Sequence, residues 1–186
     1  MASPKILAFA GSARKESLNQ KLLVAAVEAV RAAGAEVTLI SLRDFPLPLY
    51  DGDLEDAAGL PDNARKLIDL IAGHAGLLLA SPEYNAMITP LLKNTLDWCT
   101  RADDDPFPGR VAAVVSASPG ALGGINSLTL AQQLLLKLGC HVVPGVTILP
   151  QAHKAFGPDG KLIDPRTLKS VQELATKLVE TVTKLG

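Results

Sequence analysis

Short apolar runs alternate with helical periods along the whole chain. Ile6-Leu7-Ala8-Phe9-Ala10 is unbroken by a polar residue and stops at Gly11, the pattern of a strand buried on both faces. Leu23, Val27 and Val30 then recur at helical spacing, and Gly34 marks the end of that helix. Val37 to Leu42 predicts a second strand. A proline-rich connection follows, Phe45-Pro46-Leu47-Pro48-Leu49-Tyr50, and runs through acidic residues to Pro61. Ala64, Leu67, Ile68 and Ile71 share one face of a second helix. Gly76 to Ser81 reads as a third strand, apolar on both faces. Pro90 stands where the first turn of a helix tolerates proline, with Leu92, Leu96 and Cys99 behind it. Val111 to Ser116 is a fourth strand, and Leu128, Ala131, Leu135 and Leu138 mark the helix that Gly139 ends. The fifth strand, His141 to Ile148, contains Pro144, which has no N–H for a ladder and so predicts an edge position. Leu168, Val171, Leu174, Leu178, Val182 and Leu185 outline a last helix.

Five alternations of strand and helix imply an α/β fold with a parallel sheet covered on both faces. For five strands the expected arrangement is flavodoxin-like and doubly wound, with order 2-1-3-4-5. At 186 residues and 48% hydrophobic, the chain suits a single domain spanning 1–186 with a sizeable core. Ligands in such sheets bind beyond the carboxyl ends of the strands, at the switch between strands 1 and 3. Ligand residues are therefore expected after strands 1, 3 and 4, and not after strand 2.

The formal net charge of −1 provides no electrostatic case for nucleic acid or an anionic membrane surface. Cys99 and Cys140 make neither a disulfide framework nor a zinc site, and are expected as buried small hydrophobes. His74, His141 and His153 lack ligand spacing, so no metal is expected. The apolar run at 6–10 is too short for a signal peptide and is followed at once by Arg14 and Lys15. No stretch approaches the ~20 apolar residues of a membrane span. A soluble, cytoplasmic protein is the expectation.

Three loops carry candidate chemistry. After strand 1, Gly11-Ser12-Ala13-Arg14-Lys15-Glu16-Ser17-Leu18-Asn19 is neither GxGxxG nor a P-loop. It still places hydroxyls, a guanidinium and an amide just before a helix, whose free N–H groups and dipole suit a phosphate. Ser12, Ser17 and Asn19 can donate to phosphate oxygens, and Arg14 adds charge in a planar fork. Plain helix capping by Ser17 or Asn19 accounts for part of the same pattern. After strand 3, Ser81-Pro82-Glu83-Tyr84-Asn85-Ala86-Met87-Ile88-Thr89-Pro90 makes a stiff ledge. Its backbone can face the polar edge of a planar ring that Tyr84 borders. Glu83 reads as a solvated loop carboxylate rather than a general acid. After strand 4, Gly120, Gly123 and Gly124 permit close backbone approach, and Ser116 and Ser118 offer small polar contacts. Each loop alone is near its structural explanation; all three on one sheet edge point to FMN, which ends in a single phosphomonoester.

The motifs at 11–19, Pro82-Glu83-Tyr84-Asn85 and Pro90-Leu91-Leu92-Lys93-Asn94-Thr95-Leu96-Asp97-Trp98 resemble those of the NADPH-dependent FMN reductase family, with its flavin, quinone, azo and chromate reductases. The glycines at 120–124 and the stretch with His153, Phe156 and Gly160 are also similar. The resemblance implies bound FMN, with phosphate at Ser12, Arg14, Ser17, Leu18 and Asn19 and the ring at Pro82, Glu83, Tyr84, Asn85, Ser118 and Gly120. It implies NADPH or NADH as reductant and a small-molecule electron acceptor. Hydride transfer to a flavin needs stacking and water exclusion, not a triad, so no catalytic side chain is expected. Family members often carry arginine after the paired glycines, where this chain has Ile125-Asn126-Ser127, which leaves the choice between NADPH and NADH open. The resemblance also implies a homodimer or dimer of dimers; Leu91, Trp98 and Cys99 lie around more than one face of the helix after Pro90, so Trp98 either marks a partner-facing surface or packs inside the monomer. An FMN-binding electron carrier and a flavin-free interaction module remain the alternatives.

Overall fold

The computed structural model describes residues 3–185. In chain order its elements are β1 (Lys5–Ala10), α1 (Leu18–Ala32), β2 (Glu36–Leu39), α2 (Gly52–Ala58), α3 (Asp62–Ala72) and β3 (Gly76–Ala80). A short pair follows, β4 (Glu83–Tyr84) and β5 (Met87–Ile88), and then α4 (Pro90–Cys99), β6 (Val111–Ala117) and α5 (Ile125–Lys137). The chain closes with β7 (His141–Val142), β8 (Thr147–Leu149) and α6 (Pro165–Leu185).

The main sheet runs β2-β1-β3-β6, and both β7 and β8 pair with β6. All these pairings are parallel, so the expected order 2-1-3-4-5 holds with the fifth position shared by two short strands. Pro144 and Gly145 lie in the gap between them. Pro144 has no N–H to donate, so a continuous strand cannot form there. Alternate residues of β1 face opposite layers. Ile6, Ala8 and Ala10 pack with α1 and α6, whereas Leu7 and Phe9 pack with residues of α3, α4 and α5. Phe9, Leu77 and Leu79 are fully buried, and each contributes about 1.5–3 kcal/mol by leaving water.

Three elements differ from the sequence pattern. β2 stops at Leu39, because Ser41 accepts from Arg43 N and starts a 3-10 turn that buries Leu42. α2 lies inside the acidic connection, capped by Asp51 accepting from Asp53 N; none of its residues is buried, so it has no apolar stripe to read. Trp98 does not face outward. It is fully buried, its Nε1 donates to Pro48 O at 2.8 Å, and Tyr50 packs edge-on at 5.1 Å. The proline-rich connection needs a flat, polar-tipped side chain to fasten it to α4, and Trp98 supplies it. Asn94 completes that fastening, donating to Pro48 O and accepting from Tyr50 N, both at 2.8 Å. No helix among the described residues is long and apolar enough to cross a membrane.

Candidate functional site

Register brings the loops to one edge. Ala10 lies opposite Ala80, Ala80 opposite Val115, and Ala117 opposite Leu149, so β1, β3, β6 and β8 end at nearly the same level. Their connections to the next elements leave side by side at the carboxyl ends of the strands.

Buried hydrogen bonds tie these loops into one body. Gly11 N donates to Ala80 O at 2.9 Å, and Thr89 Oγ1 donates to Gly11 O at 2.7 Å while accepting from Leu92 N. One hydroxyl thus caps α4 and clamps the first loop. The approach is so close that a Cβ on Gly11 would stand 2.8 Å from Leu92 Cβ and 3.0 Å from Thr89 Oγ1. Ser116 Oγ donates to Ser81 O at 2.6 Å, and Ser127 Oγ donates to Pro82 O at 2.8 Å. Since Ser127 uses its one proton there, the 2.7 Å contact between Ser81 and Ser127 hydroxyls is donated by Ser81. The web seats the hairpin β4–β5 on the start of α5.

Glu83 finishes that seat. Its Oε2 accepts from Ser127 N at 3.0 Å and its Oε1 from Asn126 Nδ2 at 3.3 Å. α5 begins at Gly124, which offers no side-chain cap and has φ of +82°. A Cβ at Gly124 would also meet Ser116 Oγ at 2.1 Å, so glycine is required here and the cap must come from elsewhere. Glu83 is therefore not a solvated loop carboxylate. Between β4 and β5, Asn85 and Ala86 have φ of +52° and +63°. Two consecutive left-handed residues make this the tight two-residue hairpin turn that matches strand twist. The ledge expected between the prolines is this hairpin, with Tyr84 and Asn85 exposed at its tip and Pro82 buried at its base.

The first loop is a set of donors. Ser12 and Ser17 are nearly buried, at 8% and 5% exposure, and each hydroxyl accepts from the backbone, Ser12 from Arg14 N and Ser17 from Gln20 N. Neither donates to a protein acceptor among the described residues, so both protons are free for a ligand. Ser17 is the N-cap of α1, and the N–H groups of Leu18 and Asn19, as the first two helical residues, have no partner within the helix. Arg14 is exposed and makes no ion pair among the described residues, whereas Glu16 is turned away to Lys21 at 3.0 Å. Asn19 is held differently from the others. Its Nδ2 donates to Ala117 O at 2.8 Å and its Oδ1 accepts from Ala117 N at 2.9 Å, joining α1 to the end of β6. What Asn19 turns toward the loop is its backbone N–H. Two hydroxyl protons, helix-start N–H groups and a guanidinium, with no carboxylate among them, match a phosphate dianion.

The third loop is braced from outside. Ser118 N donates to Leu149 O, Ala152 N to Ser118 O and Gln151 N to Gly120 O, all within 3.1 Å, and Gly120 N donates to Ser118 Oγ at 3.0 Å. Ser118 and Gly120 thus have the segment 149–152 as an outer wall. That wall, Thr89 and Ser127 were not singled out from the sequence. Thr89 had a legible cap position before Pro90; Ser127 looked like any helix serine.

Known proteins share this fold and much of this sequence. The model of the NADPH-dependent FMN reductase family matches residues 4–154. The chain is 33% identical over 171 residues to an NAD(P)H-dependent FMN reductase of Pseudomonas aeruginosa, covering 91% of this chain and 90% of that protein. It is 33% identical to an NAD(P)H:quinone oxidoreductase of Solanum tuberosum, with 94% of each chain covered. Among solved structures, the flavoenzyme NAD(P)H:(acceptor) oxidoreductase FerB of Paracoccus denitrificans superposes with a TM-score of 0.83 at 30% identity, covering 98% of this chain and 99% of that one. The match spans both the donor loop after β1 and the hairpin after β3, and the chain belongs to the NADPH-dependent FMN reductase family.

Proposed function

We propose that this protein is an FMN-dependent NAD(P)H oxidoreductase that reduces a small acceptor such as a quinone or free flavin. The observation that carries the reading is the donor-only loop, in which two nearly buried serines keep their protons free beside Arg14 and the start of α1. The site residues fit FMN. Ser12, Arg14, Ser17 and the N–H groups of Leu18 and Asn19 would hold the phosphate, and Pro82 to Asn85 with Ser118 and Gly120 would flank the ring. When bound, the flavin supplies a ring that accepts a hydride from NAD(P)H and passes the electrons on. The chain's own work is to hold that ring still and keep one face open to successive substrates. The locked loops suit this: Thr89 joins the first to α4, Ser127 and Glu83 join the hairpin to α5, and Asn19 joins α1 to β6.

The reading extends to one catalytic domain over the whole chain, supported by α6 packing back on α1 in a common core. It also extends to the cytoplasm, supported by the reductant it needs. We further propose a homodimer or dimer of dimers. Tyr84, Met87 and Leu122 are exposed apolar side chains on the connections after β3 and β6, and a second copy would cover them. Light scattering on the eluting protein tests this, and a mass of one chain refutes it.

The activity is tested by the absorption spectrum after FMN addition and desalting, followed by oxidation of NADPH and NADH with a quinone, free FMN or oxygen. Retained flavin with rapid, acceptor-dependent oxidation is the expected result. A yellow protein inert to both nucleotides would instead be an electron carrier, and a colourless one would not be a flavoprotein.

A further inference from the structure

Beyond the loop after β6, two exposed cations border adjoining recesses. Two shallow recesses, of about 470 and 300 Å³, meet at Pro150, Gln151 and Asp164. Arg166 lines the first and Lys154 the second, and both are exposed. Neither makes an ion pair among the described residues. The other cations of the connections after β1, β3, β6 and β8 are accounted for. Arg14 and Lys15 stand on the flavin-phosphate loop, and Lys161 lies 3.8 Å from Asp159. The one carboxylate in the recess, Asp164, is committed elsewhere: its Oδ2 accepts from Thr167 N at 2.8 Å and caps α6. That N–H, together with the Arg166 charge, holds the Asp164 carboxyl below its usual pKa, so it stays an acceptor for the helix.

The recess is joined to the ring-flanking loop. Gln151 N donates to Gly120 O and Ala152 N to Ser118 O, both at 3.0 Å, so the wall between Ser118 and Lys154 is only a few residues thick. Gln151 takes φ of +46° to make this turn, which side chains rarely adopt. A dinucleotide reductant carries its phosphates well away from the ring that reacts. A nicotinamide stacked on a flavin held beside Ser118 and Gly120 would carry its phosphates past that loop, and Lys154 and Arg166 are exposed cations beyond it.

Building on the reductase reading above, we propose that the recess between the 150–154 segment and the start of α6 binds a phosphate of the nicotinamide dinucleotide, with Lys154 and Arg166 as its cationic contacts. Exposed charged hydrogen bonds of this kind are each worth a several-fold change in affinity, and the pair together about tenfold or more.

The probe is adenosine 2′,5′-bisphosphate, titrated calorimetrically into the protein, with ADP in parallel. The double variant Lys154→Ala/Arg166→Ala is expected to weaken the bisphosphate at least tenfold, and salt is expected to weaken the parent's binding in the same direction. Both residues are exposed and unpaired, so the variant keeps the fold. Lys177→Ala, on the outer face of α6, serves as the control and is expected to change nothing. In turnover, the double variant is expected to raise KM for the nucleotide more than it lowers kcat. A rise for NADPH alone assigns the 2′-phosphate to the recess, and an equal rise for NADPH and NADH assigns the pyrophosphate. Unchanged bisphosphate affinity, or an equal loss of FMN affinity in the double variant, overturns the proposal. The titration is read without turnover, so a parent that fails to take up flavin refutes the reductase reading separately.

Discussion

Replacing Glu83 by alanine tests how the β4–β5 hairpin is held. The carboxylate accepts from Ser127 N at 3.0 Å and from Asn126 Nδ2 at 3.3 Å, at the start of a helix whose own N-cap, Gly124, has no side chain. Removing it deletes the side-chain cap of α5, which costs about 1 kcal/mol. Losing a negative charge at the positive end of the helix adds about 0.5 kcal/mol. For a chain of 186 residues, ~1.5 kcal/mol corresponds to a drop in Tm of roughly 3–6 °C. Glu83→Gln keeps an oxygen for Ser127 N and loses only the charge, so its Tm falls by about 1–2 °C. Calorimetry gives the order parent, glutamine variant, alanine variant. Hydrogen exchange at the Ser127 amide accelerates in the alanine variant, and FMN affinity falls in the same order because the hairpin loosens. A Glu83→Ala protein with unchanged Tm and unchanged Ser127 exchange would refute the capping role.

Further outcomes follow from single residues. Ala86 holds φ of +63°, a conformation that costs an L-residue about 1–2 kcal/mol, so Ala86→Gly is expected to raise Tm by about 2 °C in a thermal melt after the entropy cost of glycine is subtracted. Asp164 has its pKa lowered, first by the Thr167 N–H, so its contribution to stability is present above the unfolded value of about 3.9 and is lost as pH falls through the lower folded value. Urea melts should therefore separate Asp164→Asn from the parent above about pH 5 and bring the two together in strong acid. Burial pushes the Cys99 thiol up to about 12 and the Cys140 thiol up to about 11, so neither should react with a thiol reagent at pH 8 until the protein is unfolded. A stoichiometric fast reaction in the native protein would contradict that placement.

The layers of the fold were legible because buried parallel strands and one-sided helices leave strong periods. Leu77-Leu78-Leu79 and the stripe from Leu168 to Val182 are of this kind. α2 was not legible, since a helix that buries nothing leaves no stripe, and Asp51 capping Asp53 N looks like any acidic stretch. Helical spacing leaves Trp98 open between a partner surface and the monomer's interior, because it shows that a side chain lies off the main apolar face, not what covers it. Here the cover is Pro48 and Tyr50, distant in sequence. The same limit applies at the candidate site. Residue types placed donors on loops that the fold brings to one sheet edge, but whether a polar group is free or engaged depends on long-range partners. Asn19 and Glu83 are engaged, with Ala117 and Ser127, while Ser12 and Ser17 keep protons to donate.

If the loop after β1 grips a phosphate, flavin-free protein titrated in parallel with FMN and with riboflavin, which lacks only that phosphate, will tell the two apart. FMN is expected to bind saturably at one per chain, riboflavin to bind at least a hundredfold more weakly, and most of that difference to be lost in the double variant Arg14→Ala/Ser17→Ala. Equal affinity for FMN and riboflavin, or no saturable binding of either, would contradict it.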